Sequence, residues 1–220
     1  MSDLTTERDG QLLIATMDDG KANALSHSMI DALRNAVEWA EADEDVRALV
    51  IVGRPGRFCA GFDLSVIQSG DPAAVAALIG AGGELCRKVY SSTVPVVAAC
   101  TGHALAAGAL LLLSCDRRVG ADAPVKVGLN EVAIGLALPR WAIALAQARL
   151  ASTALQASVA TAQLYDGAGA VGAGYLDRVV APDDVVTAAI DDARSLVALD
   201  PAAYATTIRQ LRRTTLEQMA

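Results

Sequence analysis

Residues that commonly form metal centres and disulfide frameworks are scarce in this sequence. It contains four cysteines and two histidines among 220 residues. The four cysteines lack CxxC spacing and stand in apolar or turn contexts, at Cys59, Cys86, Cys100 and Cys115. This pattern indicates neither a zinc site nor a disulfide framework. We therefore expect all four to be buried as small hydrophobic side chains.

Long apolar runs and clustered positive charge are also lacking. The longest apolar runs, Val94–Cys100 and Ala104–Leu113, are too short to span a bilayer. The first nine residues are polar and acidic without the pattern of a signal or transit peptide, so we expect a cytoplasmic protein with no membrane partner. A net charge of −7 and a pI near 4.8 argue against nucleic-acid binding, which usually needs a clustered positive surface.

Three families of catalytic motif are missing as well. No GxSxG, HExxH or P-loop spacing occurs, so serine hydrolase, zinc peptidase and nucleoside triphosphatase activities have no support. The acidic balance still allows a local anion site. Arg54 and Arg57 either form a phosphate-binding pair or are two solvated loop residues, and the sequence leaves both interpretations open.

Small aliphatic residues dominate what is present. Aromatic residues make up 4% of the chain, whereas hydrophobic residues make up 53% and charged residues 20%. This composition describes a folded chain rather than a disordered one. Its length is sufficient for one main domain with a substantial core.

Strand-like and helix-like segments alternate along the chain, which predicts an α/β protein with mainly parallel pairing. A helix capped by Ser26 or Ser28 is expected near residue 30. The predicted strands are Leu12–Met17, Val46–Val52, Val94–Cys100, Arg117–Val119, Val125–Val127 and Leu176–Val180. Further helices are predicted at Pro72–Ser91, Ala104–Leu113 and Pro139–Leu150, and Ala-rich helix follows from Ser152, broken by the glycine cluster Gly167–Gly174.

Two turns rich in small residues stand out. The first is the FCAGFDL segment at 58–64, and the second is the GHALAAGA segment at 102–109. Each follows a strand-like run and lets backbone N–H groups approach a ligand closely. Two such turns that converge would place two N–H donors on one oxygen, as in an oxyanion hole. The alternative is that the small residues serve only tight strand–helix packing.

Together these paired segments resemble the enoyl-CoA hydratase/isomerase (crotonase) superfamily. The resemblance extends from about Leu12 to Val180. It implies a crotonase-like spiral of ββα units at residues 1–165 and a helical C-terminal region at 166–220, short for the family. It also implies a homotrimer or dimer of trimers and an acyl-CoA thioester substrate. Coenzyme A would arrive with the substrate, so no separate cofactor is expected.

The resemblance also assigns roles to individual residues. The N–H groups of Phe62 and Ala107 would form the oxyanion hole, with alanine where the family usually has glycine. The start of the following helix would add its positive dipole end. Ala60 would offer its carbonyl to the adenine of coenzyme A. The other residues expected at the substrate are Gly61, Asp63, Gly108, Leu110 and Asn130.

Glu131 is the candidate catalytic base. It stands between apolar residues at the end of a predicted strand, where burial would raise its pKa toward the range useful for proton transfer. The alternative is a surface glutamate in a loop. The hydratases of the family carry a second glutamate at the position that Leu110 occupies here. A single glutamate, followed by Pro139 and Trp141, is more similar to the Δ3,Δ2-enoyl-CoA isomerase branch. Enoyl-CoA hydration and acyl-CoA binding with little catalysis stay open as alternatives.

Several other residues attract attention but receive structural interpretations. His103, at the second turn, is expected to pack or form hydrogen bonds rather than act as a base. Asp63 and Asp116 are expected to hold local backbone. The spacing Gly167-x-Gly169-x-x-Gly172 fits the dinucleotide fingerprint, but predicted helix precedes it and a predicted strand follows it, the reverse of what that fingerprint requires. We therefore expect no NAD site.

Overall fold

Strands and helices alternate along residues 3–220, which the computed structural model describes. The strands are β1 Leu4–Asp9, β2 Leu12–Met17, β3 Ala48–Val52, β4 Gly56–Cys59, β5 Val96–Cys100, β6 Gly102–Leu105, β7 Arg117–Ala121, β8 Val127–Gly128 and β9 Arg178–Val180. The helices are α1 His27–Ala42, α2 Leu64–Ile67, α3 Pro72–Tyr90, α4 Ala107–Ser114, α5 Arg140–Arg149, α6 Ser152–Ala160, α7 Gly167–Ala173, α8 Val185–Val197 and α9 Pro201–Gln218. Short 3-10 helices cover Val132–Ile134 and Pro182–Asp184.

The larger sheet has six strands in the order β1-β2-β3-β5-β7-β9. β1 is antiparallel to β2, and every other pairing in this sheet is parallel. All residues of β3 and β5 are buried, because a parallel sheet is covered on both faces. One face packs on α8 through residues such as Ala189 and Ala193. The other face belongs to the main core, which includes buried residues of α1, α3 and α4.

The smaller sheet has three parallel strands in the order β4-β6-β8. Its strands are close-packed: a Cβ placed on Gly102 would lie 1.9 Å from the carbonyl carbon of Gly56. Only glycine fits at such an approach. Parallel strands present their carboxyl ends at the same edge of a sheet, so the segments that follow these three strands are brought together.

Most of the predicted elements are present. β2 has the predicted bounds, and α3 and α5 end within a residue of theirs. Ser26, not Ser28, caps α1, because its hydroxyl accepts a hydrogen bond from the Met29 N–H at 3.1 Å. β1 and β4 were not predicted, because β1 is almost entirely polar and exposed and β4 has only four residues.

Two predictions were wrong. The helix expected at Ala104–Leu113 begins only at Ala107, since residues 102–105 form β6. Short apolar runs of small residues fit either state, and pairing with β4 and β8 decides in favour of a strand. The glycine cluster expected to break the helical region is itself α7. Asp166 caps that helix by accepting the Gly169 N–H at 2.7 Å.

The C-terminal region packs on its own chain. β9 pairs with β7 in the larger sheet, and α9 packs against α5. Arg212 of α9 is buried, lies 2.6 Å from the Asp116 carboxylate, and stacks over the ring of Tyr90. The division of the chain at residue 165 stays a prediction. No helix within residues 3–220 combines the length and apolarity needed to cross a membrane.

Candidate active site

The predicted site residues follow the three strands of the smaller sheet. β4 leads into Ala60–Phe62, β6 into Ala106 and Ala107, and β8 into Asn130 and Glu131. Cys59 pairs with Ala104, and Ala104 pairs with Val127. The strand ends are therefore neighbours in register, and the segments that follow them lie at one edge of the sheet.

The first turn is held in place by the loop that precedes α1. The Leu25 N–H donates to the Gly61 carbonyl at 2.8 Å, and the Asp63 N–H donates to the Leu25 carbonyl at 3.3 Å. These two hydrogen bonds use the Gly61 carbonyl and the Asp63 N–H, which lie on either side of Phe62. Within residues 3–220 the Phe62 N–H itself has no acceptor, so it is available to a ligand.

Asn23 fixes that loop and was not among the residues predicted for the site. Its side chain is fully buried, and its amide donates to the carbonyls of Met17 at 3.0 Å and Phe58 at 3.2 Å. Its amide oxygen accepts the Asp19 N–H at 3.1 Å. Asn23 has a φ of 52°, a conformation that asparagine adopts more readily than most residues. An asparagine between two alanines, shortly after Asp18-Asp19-Gly20, is the signal that could have indicated this turn.

The second turn has an unusual backbone. Ala106 has a φ of 50° and a ψ of −124°, in the region that favours glycine. Its carbonyl accepts hydrogen bonds from Ala109 and Leu110 in the first turn of α4. The Ala107 N–H opens α4 and has no acceptor in the described part of the chain. This is the expected state of an N–H in the first turn of a helix.

The two turns meet at Gly61. Its φ is 99°, and a Cβ placed on it would lie 3.0 Å from the Ala106 Cβ and 3.7 Å from the Ala107 nitrogen. The turn that carries the Phe62 N–H therefore touches the turn that carries the Ala107 N–H. Two unpaired N–H groups on touching turns can act together on one oxygen, as an oxyanion hole requires.

Gly108 allows α4 to begin this close to β4. A Cβ on Gly108 would lie 2.2 Å from the Cys59 carbonyl oxygen. The packing interpretation of the small residues is therefore true of this glycine, and it is compatible with the oxyanion interpretation of the neighbouring N–H groups. All eight residues of α4 are buried.

Glu131 is buried, so the surface alternative is wrong. Its exposed fraction is 8%, and its Oε2 atom has no hydrogen-bond partner among the described residues. Burial raises its pKa from 4.5 to about 7, against a smaller opposing effect of its own backbone N–H. It stands at the start of the 3-10 helix rather than at a strand end, and its carbonyl accepts the N–H groups of Ile134 and Leu136. A carboxylate with this pKa suits proton transfer near neutral pH.

Leu110 and Asn130 complete the set of residues expected to face the substrate. Leu110 is almost fully buried in α4, so its side chain adds an apolar surface. The Asn130 Oδ1 atom is buried without a partner in residues 3–220. Their roles toward a substrate stay predictions.

The residues given structural interpretations have structural partners. The Asp63 carboxylate caps α2 and accepts the Ser65 N–H and hydroxyl. Asp116 accepts the Val96 N–H at 2.7 Å besides its pair with Arg212. His103 Nδ1 accepts the Lys126 N–H at 2.8 Å. Burial, with Arg57 and Lys126 nearby, lowers the pKa of His103. A contact of Asp63 with substrate stays a prediction.

Ala60 lies in the first turn, and the arginine pair precedes it in sequence. Ala60 is exposed, and its N–H donates to the Ala22 carbonyl at 3.1 Å. Arg54 donates to the Lys21 carbonyl at 3.0 Å and lies 3.4 Å from the Asp18 carboxylate. Arg54 is therefore already paired with an acidic group, which weakens its interpretation as half of a phosphate site.

The cysteines behave as expected from the sequence. All four are buried and free. Burial raises the pKa of Cys59, Cys86 and Cys100 to about 12. They are therefore neutral thiols that serve packing.

Comparison with known proteins identifies the family. The model of the enoyl-CoA hydratase/isomerase family matches residues 7–220. The chain belongs to this family. The resemblance on which the sequence analysis relied is thereby confirmed, and so is the crotonase-like fold.

Relatives in this family include both isomerases and hydratases. The chain is 30% identical over 199 residues to human mitochondrial enoyl-CoA delta isomerase 1, which covers 90% of this chain and 66% of the relative. It is 33% identical over 181 residues to a probable enoyl-CoA hydratase of Mycobacterium tuberculosis, covering 81% of this chain and 69% of that protein. The chain spans 63–66% of the length of three mammalian isomerases that it matches.

Solved structures of the family superpose closely. A Mycobacterium tuberculosis protein matches with a TM-score of 0.94 in two solved structures, one of which names it an enoyl-CoA isomerase and the other a probable enoyl-CoA hydratase. The identities are 36% and 37%, and the matches cover 99% of this chain and 94% and 91% of the other. Human mitochondrial Δ3,Δ2-enoyl-CoA isomerase matches with a TM-score of 0.94 at 28% identity, covering 99% and 86% of the two chains.

Proposed function

We propose that this chain moves the double bond of a 3-enoyl-CoA ester to the 2-position. The observation that carries this proposal is a single buried carboxylate, Glu131, at the same sheet edge as two unpaired backbone N–H groups. The thioester carbonyl oxygen accepts hydrogen bonds from Phe62 and Ala107. Such donors stabilise the enolate, and loss of one typically costs about 3 kcal/mol of barrier.

A single residue, Glu131, carries the proton from one carbon of the substrate to another. The Glu131 carboxylate removes a proton from C2, and the electron pair of that bond forms the dienolate, whose negative charge rests on the thioester oxygen. The protonated Glu131 then returns the same proton to C4, which leaves the double bond between C2 and C3. No atom is gained or lost, so no separate cofactor is needed.

Leu110 supports isomerisation over hydration. It is an apolar, buried side chain at the position where the hydratases of the family have a second glutamate, so no second carboxylate holds a water there. Hydration of 2-enoyl-CoA is the second candidate, and the relatives named as probable hydratases favour it.

An assay with 3-enoyl-CoA and 2-enoyl-CoA separates these activities. Formation of the conjugated 2-enoyl ester supports isomerisation, and 3-hydroxyacyl-CoA from 2-enoyl-CoA supports hydration. Glu131→Gln keeps the shape of the side chain and removes the base, so we expect at least ~100-fold loss of turnover with binding of the CoA ester retained. Glu44→Gln, at an exposed position, is the matched control. Near-normal turnover of Glu131→Gln would remove this residue from the mechanism, and binding without turnover in the wild type would favour a CoA-ester-binding protein.

We further propose a homotrimer or a dimer of trimers. Large apolar side chains are exposed near the site, among them Leu64 at 58% and Ile134 at 53%. Such a surface favours contact with a second copy, and closed symmetric assemblies are common. Light scattering at micromolar concentration tests this, and a stable monomer would contradict it. The cytoplasmic location expected from the sequence also stays a prediction.

A further inference from the structure

Two aromatic rings pack on consecutive glycines in the middle of α3. The chain has two phenylalanines and two tryptophans, and one of each lies at this place. A Cβ placed on Gly82 would lie 2.3 Å from the Phe62 ring, and one on Gly83 would lie 2.9 Å from the Trp141 indole nitrogen. The rings therefore occupy the space where α3 would otherwise have side chains.

Two glycines inside a helix lower its stability, so their presence in α3 needs a reason. Glycine within a helix destabilises it by roughly 0.5–1 kcal/mol relative to alanine. Gly80, in the same helix, has nothing within 4 Å of the position of a Cβ, so it has no such packing reason. At Gly82 and Gly83, by contrast, any larger residue would displace a ring.

Both rings belong to segments that continue directly from the candidate site. Phe62 carries the first N–H donor on its own backbone, so its ring starts next to the position of the thioester carbonyl. Trp141 lies in the first turn of α5, at the end of the segment that begins at Glu131. Each ring is partly buried and packs against the main core. The apolar residues close to the two rings in sequence or on α3 are likewise partly buried against this core, namely Val66, Ile67, Ala81 and Leu138.

The carbons of an enoyl chain beyond C4 need an apolar surface. The two rings that pack on α3 offer such a surface next to the residue that carries the first N–H donor. The Trp141 indole N–H is buried without a partner among the described residues, so packing alone holds this ring in place.

We propose that Phe62 and Trp141 form the end wall of the acyl site and restrict the substrate to short-chain enoyl-CoA esters. This inference rests on the proposed function. A hydrophobic pocket discriminates by roughly tenfold or more for each methylene that it cannot accommodate. We therefore expect kcat/KM for 3-hexenoyl-CoA to exceed that for 3-dodecenoyl-CoA by at least about tenfold.

Variants of the wall test the proposal. Trp141→Leu and Phe62→Leu each replace a ring with a smaller apolar side chain and keep the backbone N–H at position 62. Each should therefore lower the preference for the hexenoyl ester by about tenfold. Gly82→Ala should push the Phe62 ring toward the substrate and reduce turnover of both esters. Gly80→Ala is the control and should leave the preference unchanged. Preference of the wild type for the dodecenoyl ester, or an unchanged preference in both folded leucine variants, would overturn the proposal.

Binding keeps this test separate from the isomerase assignment. Calorimetry with hexanoyl-CoA and dodecanoyl-CoA requires no turnover. If the protein isomerises neither 3-enoyl ester but binds the hexanoyl ester more tightly, and the leucine variants lose that preference, the chain-length proposal stands while the isomerase proposal fails. Equal binding of the two esters, or no binding of either, would overturn the chain-length proposal.

Discussion

The backbone N–H of Ala106 donates to the carbonyl oxygen of Gly128 at 3.0 Å. This hydrogen bond joins the turn that presents the Ala107 N–H to the strand that leads into Glu131. The proposed second donor and the proposed base are thus attached to the ends of adjacent strands. Their relative position is set by backbone pairing rather than by flexible side chains, as a preorganised site requires.

The activity should depend on pH through Glu131. Burial raises the pKa of Glu131 to about 7, and only the ionised form can remove a proton. We expect kcat/KM to rise about tenfold per pH unit below that pKa and to level off above it. Initial rates with 3-hexenoyl-CoA across this range measure the profile. A profile that is already flat at pH 5 would contradict this assignment of the base.

The same burial should make stability depend on pH. The folded protein holds a proton on Glu131 between its ordinary pKa of 4.5 and about 7, whereas the unfolded chain does not. Folded molecules therefore bind more protons in this range, and stability falls as the pH rises through it. Glu131→Gln removes this cost, so at pH 8 the variant should be more stable than the wild type by up to about 3 kcal/mol.

Denaturant unfolding at pH 8 and near pH 4.5 measures this difference. The gain of Glu131→Gln should shrink at the lower pH, and Glu44→Gln should show no such change. Equal stability of Glu131→Gln and wild type at pH 8 would mean that the carboxylate is not desolvated in solution.

Leu110→Glu tests what separates the two proposed activities. A second carboxylate near Glu131 could hold a water, so hydration of 2-enoyl-CoA should rise relative to isomerisation of 3-enoyl-CoA. Leu110 is 1% exposed, and a buried unpaired charge should lower the free energy of unfolding by at least about 2 kcal/mol. Leu110→Gln, polar but unable to ionise, is the control. An unchanged ratio of hydration to isomerisation in folded Leu110→Glu would show that this position does not decide between the two activities.

Ala106→Gly tests the strain in the second turn. An alanine at a φ of 50° lies in a region that costs on the order of 1–3 kcal/mol. Glycine relieves this strain but makes the unfolded chain more flexible, so we expect a net gain of about 1 kcal/mol. Ala109→Gly, in the buried helix α4, should instead lose about 1 kcal/mol. Thermal unfolding of both variants measures this, and an equal loss in both would mean that Ala106 is unstrained.

Parts of the fold were readable from the sequence because their signals are local. β2 and α3 have a clear apolar pattern, and Asp71 and Pro72 mark the start of α3. β6 was misread as helix because its small apolar residues fit both states, and only its pairing with β4 and β8 distinguishes them. Asn23 and the Gly82–Gly83 pair were not anticipated, since their partners are distant in sequence.

The sequence by itself determined the family, the two turns of small residues and the identity of Glu131 as the lone candidate base, because these depend on residue type and order. Only the tertiary structure decided that the three segments meet and that Glu131 is buried with a raised pKa. It also decided that the rings of Phe62 and Trp141 pack on neighbouring glycines of α3. The physical reason is that burial and contact depend on which strands pair, and the pairing of β4, β6 and β8 joins segments that lie far apart along the chain.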